Sequence, residues 1–285
     1  MLEISSRRSV GGLRILGARD LPAVRTVLDA DPWVNVFVAE HIAEAGPQLR
    51  GLNGQLWGYV EPGGRLTSVC YAGANLVPAG ATPAAVHAFA ARARKRGRGC
   101  SSLWGRREAI EPLWRELAGS WGPARLIRHC QPFLALSRPP AVQPDPDVRR
   151  VDHQDLDAVY RASVAFFTEE LEISPEARGG DYRRRVERTV NRGRCFARIE
   201  NGEVVFKADI GVVSPAAFQI QGVWVHPDLR GHGLAAPGVA AVAAAGMRDL
   251  APVATLYVND FNIAARRSYA RVGFTPAATF MTVLF

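Results

Sequence analysis

The stretch Gln221–Ala236, QGVWVHPDLRGHGLAA, constrains this chain most. A strand-like run, Gly222–Val225, leads through a turn into Arg230-Gly231-His232-Gly233-Leu234-Ala235, and a small-residue helix follows to about Met247. Glycines at such a junction allow turn conformations barred to other residues and let a ligand approach the backbone. The first amides of a helix have no partner within it, and the helix dipole favours negative charge there. A junction of this kind is an anion site on the scale of a pyrophosphate. Pro237 falls in the first turn of the helix, where its missing N–H breaks no ladder.

The rest of the chain supplies the same alternation of strands and helices. A Pro-rich connector, Arg138–Asp147 (RPPAVQPDPD), divides it almost evenly. After the connector, strands are expected at Val148–Val151, Cys195–Ile199, Val204–Val213, Phe218–Val225, Pro252–Val258 and Thr279–Leu284. Asn201-Gly202 makes a hairpin of the second and third. Helices are expected from Asp155 to Phe167, from Pro175 to Val190, from Leu234 to Met247 and from Asn262 to Arg271. The first half repeats this order more faintly. Its strands are Leu13–Leu16, Leu56–Val60, Leu66–Tyr71, Ala74–Val77, Ser101–Trp104 and Phe133–Leu136. Its helices are Leu21–Leu28, Val34–Ala43, Pro83–Arg94 and Arg107–Leu117. Two halves with one order of elements suggest an internal duplication, with domains at 1–137 and 148–285 and the connector at 138–147.

Composition narrows the function classes. Of 285 residues, 48% are apolar and 22% charged, which suits globular domains and excludes a disordered chain, a collagen or a coiled coil. No apolar run is long enough to span a bilayer, and the N-terminus lacks the apolar core of a secretory signal. Cys70, Cys100, Cys130 and Cys195 are too far apart in sequence for a zinc motif or a disulfide framework, so a reducing cytoplasm and no metal are expected. Net charge is +8, which invites a nucleic-acid reading. Against it, lysine occurs only at Lys95 and Lys207, and the arginines are spread along the chain. One cluster stands out, Arg92, Arg94, Lys95, Arg96 and Arg98, and it reads as a solvated helix end or an anion patch.

The glycine turn has three readings. Gly231 to Ala236 fits the dinucleotide pattern G-x-G-x-x-A, but His226–Leu229 separate it from its strand and too few strands follow. A surface loop without a ligand is the second. In the third, Arg230, Gly233 and Ala235 resemble the R/Q-x-x-G-x-G/A acyl-CoA signature of the GNAT N-acyltransferase superfamily. Asn262, Ala265 and Tyr269, followed by Gly273-Phe274, resemble its N-x-x-A-x-x-x-Y…GF element. The resemblance covers residues 148–285, and the duplicated layout is similar to tandem GNAT proteins.

That resemblance implies a mixed, mostly antiparallel twisted sheet flanked by helices in each half, with one pair of strands splayed apart. Acetyl-CoA is the implied co-substrate. Its pantetheine would lie along Val223 and Val225, and its pyrophosphate against Arg230, Gly231, His232, Gly233, Leu234 and Ala235. Asn262 and Ala265 would border the pantetheine arm, and Arg266 and Arg267 either approach the 3′-phosphate or face solvent. A strand N–H near Val225 would stabilise the oxyanion, and Tyr269 would protonate the leaving thiolate. Phe167, Glu169 and Glu170, between the first two helices, would border the acceptor, with Glu170 as base and Glu169 as the charge that holds the amine. Asp209 and His226 are rival bases. The first half lacks the signature: Val77–Pro83 has one glycine, and Arg107–Trp114 contains no Asn or Tyr, so it reads as a degenerate copy. The expected function is transfer of an acetyl group to a small-molecule or peptide amine, with neither nucleic acid nor membrane as partner. The alternative is a non-catalytic acyl-CoA-binding or protein-interaction module.

Overall fold

The structure, a computed structural model, describes residues 11–178 and 181–285. The expectation of one helix from Pro175 to Val190 crosses residues 179 and 180, which lie outside the described residues, as does the N-terminal segment 1–10.

The chain forms two compact units. The first comprises the chain up to Pro132 together with Ala278–Phe285, and the second comprises Phe133–Ala277. In the first, β1 (Gly12–Ile15), α1 (Leu21–Asp29) and α2 (Val36–Ala45) lead to the antiparallel strands β2 (Gly54–Val60), β3 (Leu66–Gly73) and β4 (Asn75–Ala79). Next come α3 (Pro83–Arg96), β5 (Ser102–Arg106) and α4 (Arg107–Trp121), and then β6 (Leu126–Leu136) begins. The core of this unit sets Trp57, Cys70 and Leu103 of the sheet against Phe89 of α3 and Leu113 of α4. Met281 and Val283, from the far end of the chain, belong to the same core.

The second unit takes the end of β6 and adds β7 (Arg149–Arg150), α5 (Leu156–Leu171), α6 (Asp181–Asn191), β8 (Cys195–Glu200), β9 (Glu203–Val213), β10 (Phe218–Val225), α7 (Ala235–Asp249), β11 (Ala254–Tyr257) and α8 (Ile263–Val272). Strands β7 to β10 pair antiparallel in order. α7 and α8 cover one face, where Phe206, Phe218, Ile220, Val239, Val272 and Phe274 pack together. α5 and α6 cover the other, over Val159, Val186, Ala197 and Trp224. The small residues of α7 let it lie close on the sheet. A Cβ on Gly238 would stand 2.7 Å from the Phe206 ring, and one on Gly246 would stand 2.3 Å from that of Phe218.

The last strands do not stay with their own halves of the sequence. β12 (Thr275–Leu284) pairs through Phe280–Leu284 with Arg106–Ser102 of β5, in the first unit. In the second unit, Phe133–Leu136 of β6 pair with Tyr257–Ala254 of β11. The expected boundaries at 137 and 148 therefore differ from the compact units by an exchange of one strand each way. Long-range strand pairing decided this, and the connector marks only the midpoint of the chain.

Candidate active site

The site is built around β10. This strand pairs parallel with β11 over only two positions, Phe218↔Ala254 and Gln219↔Thr255. Beyond them the two strands part, and the edge of β10 from Ile220 onward is not paired with β11. An open strand edge carries backbone donors and acceptors ready for an extended ligand. On its other edge, β10 pairs with β9 at Gln221↔Asp209 and again at Trp224↔Lys207. Two residues, Gly222 and Val223, therefore face one, Ala208, which makes a β-bulge. Gly222 has φ +61°, and a Cβ there would lie 3.0 Å from Asp209 Oδ2.

After β10, the turn through Arg230 brings the chain to the start of α7. Gly231 and Gly233 have φ of +83° and +80°, and a Cβ on either would meet nothing within 4 Å. The surface over the turn is thus open to a ligand. Leu234 precedes the helix, no side chain caps it, and the first intrahelical bond runs from Gly238 N–H to Leu234 C=O. The amides of Gly233, Leu234, Ala235 and Ala236 accordingly find no acceptor among the described residues. His232 is exposed, with its Nδ1 3.1 Å from the Arg230 carbonyl oxygen.

Arg230, though exposed, folds back over the turn. Its Nε donates to the Val225 carbonyl at 3.1 Å, and its terminal nitrogen pairs with Glu169 at 2.7 Å. The other oxygen of Glu169 accepts from Trp224 Nε1 at 3.1 Å. Both oxygens of the carboxylate expected to hold the amine thus have partners, one of them a guanidinium. Val225 stands opposite Phe206 without bonding across to it: the neighbouring His226 N–H donates to the Val205 carbonyl and the Val225 carbonyl accepts from Arg230, so the Val225 N–H faces away from β9, and the bulge takes Val223 out of that ladder as well.

α5 runs to Leu171, a turn beyond its expected end, so Phe167, Glu169 and Glu170 lie on the last turn of a helix and not on a connector. The Phe167 ring lies 5.1 Å from that of Tyr182 on α6. Glu170 accepts from Asn259 Nδ2 at 3.1 Å. Asn259 is 7% exposed, just beyond the end of β11.

Tyr269 on α8 is 7% exposed and packs against Phe274. Burial pushes its hydroxyl pKa well up, and the charge of nearby Glu170 adds to the shift, so the phenol keeps its proton. Its hydroxyl makes no hydrogen bond among the described residues. Asn262 is the N-cap of α8, where its side-chain oxygen accepts from Ala265 N–H at 3.1 Å. The Asn–Ala spacing of the motif is thereby a helix cap, and the amide nitrogen of Asn262 remains for other partners. Arg266 and Arg267 are exposed, and Arg266 bonds back to the Asp260 carbonyl.

Among the rival bases, Asp209 pairs with buried Lys207 at 2.8 Å, and His226 stacks edge-on to Trp224 at 5.7 Å. The structure brings Glu170, Asn259 and Tyr269 together, and separately joins Glu169 to Trp224 and Arg230. Asn259, Trp224 and Lys207 carried no motif signal, because their partners lie 89, 55 and 15 residues away in sequence. Among the described residues, no three His, Cys, Asp or Glu side chains are grouped so as to hold a metal ion.

Comparison with known proteins agrees with this geometry. Residues 156–274 match the model of the acetyltransferase (GNAT) family, and residues 54–159 match a domain of unknown function (DUF4081). No curated protein sequence matches the chain. Among solved structures, a GNAT-family acetyltransferase from Colwellia psychrerythraea is similar over 96% of this chain and 99% of its own, at 12% identity and a TM-score of 0.56. A GCN5-related N-acetyltransferase from Sphaerobacter thermophilus covers 96% of this chain and 94% of its own, at 16% identity and 0.59. A tandem GNAT protein from the clavulanic acid biosynthesis pathway covers 95% of this chain and 98% of its own, at 16% identity and 0.50. The chain thus has a mixed α/β fold like that of solved GNAT proteins, and its residues 156–274 match the acetyltransferase (GNAT) family, which supports acyl transfer as their general chemistry.

Proposed function

We propose that the second unit moves an acetyl group from acetyl-CoA to an amine by direct attack. The observation that carries this reading is the uncapped start of α7, at the end of a strand whose edge stands open. The amides from Gly233 to Ala236 would take the pyrophosphate, and the β10 edge beyond Gln219 would take the pantetheine arm. The free amide nitrogen of Asn262 lies at the start of α8 and would meet the same arm.

In the reaction, the amine nitrogen bonds to the thioester carbon and its lone pair moves into the new bond. The carbonyl oxygen takes negative charge, a bulge N–H stabilises it, and the C–S bond then breaks. Tyr269 gives its proton to the departing thiolate. The phenol carries its proton at neutral pH even at its ordinary pKa of about 10; burial and Glu170 hold that proton more tightly, so transfer waits until the C–S bond breaks and the sulfur takes negative charge. Glu170 takes the proton that the amine loses. Asn259 fixes its orientation, while Glu169, tied to Arg230 and Trp224, braces the turn against the end of α5. The first unit serves as a copy without cofactor, a reading supported by the side-chain cap at the start of α3.

A panel of amines with acetyl-CoA, read by thiol release, tests the assignment. Thiol release that depends on an amine and forms its N-acetyl product is the predicted result. Acetyl-CoA binding without turnover on any amine would favour the acyl-CoA-binding module instead.

A further inference from the structure

Lys207 is one of two lysines in a chain otherwise supplied with arginine, and its side chain is 1% exposed. Burying an ammonium costs several kcal/mol unless it is paired and hydrogen-bonded, so a lysine held here has a structural reason. Burial, the largest single influence, works to lower its pKa, but the charge and hydrogen bond of Asp209, together with Cys195 and Tyr182, tip the net shift upward. The ammonium stays charged. It donates to Asp209 Oδ2 at 2.8 Å and reaches the Gly222 carbonyl oxygen at 3.4 Å, with Phe166 beneath it at 5.9 Å from the ring centre. Gly222 fits this contact closely, since a Cβ would stand 3.0 Å from Asp209 Oδ2 and 3.3 Å from Lys207 Nζ. Lysine suits the place and arginine does not. A compact ammonium turns its three donors toward a carboxylate and a carbonyl at once, whereas a guanidinium presents a flat fork.

A trans peptide is planar, with its C=O and N–H pointing opposite ways. Holding the Gly222 carbonyl therefore sets the direction of the Val223 N–H, which the bulge has taken out of the ladder with β9. We infer that Lys207 is a positioning residue: from inside the sheet it turns the 222–223 peptide so that the Val223 N–H donates to the thioester oxygen. Asp209 keeps the ammonium charged and in place. This inference rests on the acetyl-transfer reading and names the group that readies its oxyanion donor.

The test uses the full chain with acetyl-CoA carrying a ¹³C thioester carbonyl. Hydrogen bonding to that oxygen lowers its infrared stretching frequency. The wild-type protein should show the lowered band. Lys207→Met combined with Asp209→Asn, which removes both charges and leaves neither unpaired, should lose it while the Kd for acetyl-CoA stays within about threefold. Thiol release with the amine found in the panel should fall about tenfold or more, since losing one oxyanion donor outright costs about 10²–10³ in kcat. Lys207→Arg should restore charge but not the band. A second readout needs no variant. In ¹⁵N-valine-labelled wild-type protein, the Val223 amide proton should move downfield with acetyl-CoA and not with CoA. A lowered band that survives in the double variant, or a Val223 amide that does not respond, overturns the inference while leaving acetyl transfer standing. Failure of the wild-type protein to bind acetyl-CoA overturns both.

Discussion

The starts of α3 and α7 occupy the same place in their units and differ in what happens to their amides. Each helix follows a strand that pairs parallel with the next over only two positions, Asn75↔Ser102 and Leu76↔Leu103 in the first unit, Phe218↔Ala254 and Gln219↔Thr255 in the second. At α3, Thr82 caps the helix by accepting from Ala85 N–H at 3.2 Å, Ser68 Oγ accepts from Thr82 N–H at 3.3 Å, and Pro83 brings no N–H. At α7 no side chain caps, and two glycines lay the amides bare. The strands differ as well: β4 pairs with β3 without a break in register, while β10 carries the bulge. Seven residues after the N-cap, α8 has Tyr269 and α4 has Leu113, which is fully buried. One backbone plan therefore yields an open helix start or a closed one, depending on whether the chain satisfies its own amides.

Gly233→Glu should have the largest effect. It puts a side chain and a negative charge over the bare amides at φ +80°. Calorimetry should show acetyl-CoA affinity lost by more than about 100-fold, since both the approach and the dipole are spoiled. A Cβ there meets nothing, so the cost to folding is the left-handed backbone alone, about 1–2 kcal/mol, and the folded state should survive.

Tyr269→Phe keeps the ring packed on Phe274 and removes only the proton donor. Turnover should fall by about 10³-fold with the Kd for acetyl-CoA unchanged, a typical worth for general acid catalysis. The raised pKa extends the protonated form to higher pH, so the wild-type rate should show no fall from this group up to about pH 10. Wild-type turnover in the variant would reduce Tyr269 to a packing residue like Leu113.

Much of this contrast was legible in the sequence, for physical reasons that also explain the gaps. Glycine and proline punctuate local conformation, so the turn before α7 and the lone glycine before α3 announced different helix starts. The end of α5 was not legible, because Thr168-Glu169-Glu170 looks like a polar connector until Trp224, Arg230 and Asn259 hold it. Nor was the exchange of last strands. Thr279–Leu284 reads as a strand anywhere, and only its register against β5 places it in the first unit. Lys207 read as one charge among 35, since its meaning lies in a carbonyl across the bulge.

Glu170→Gln keeps the shape beside Asn259 and removes the base. It should lower kcat by about 10²-fold in steady-state assays and leave donor binding intact. Unchanged kinetics would move the base to Asp209 or His226.

Thr82→Ala should have the smallest effect. It removes the cap at α3, which costs about 1 kcal/mol of stability by denaturant titration. Acetyl-CoA affinity should not change. Weaker binding would show that the first unit also takes part.

A calorimetric titration of the wild-type protein with acetyl-CoA tests the central claim most directly, because it counts open helix starts. The account predicts one site per chain, at α7, abolished by Gly233→Glu. Two sites of similar affinity, or one that survives Gly233→Glu, would contradict it.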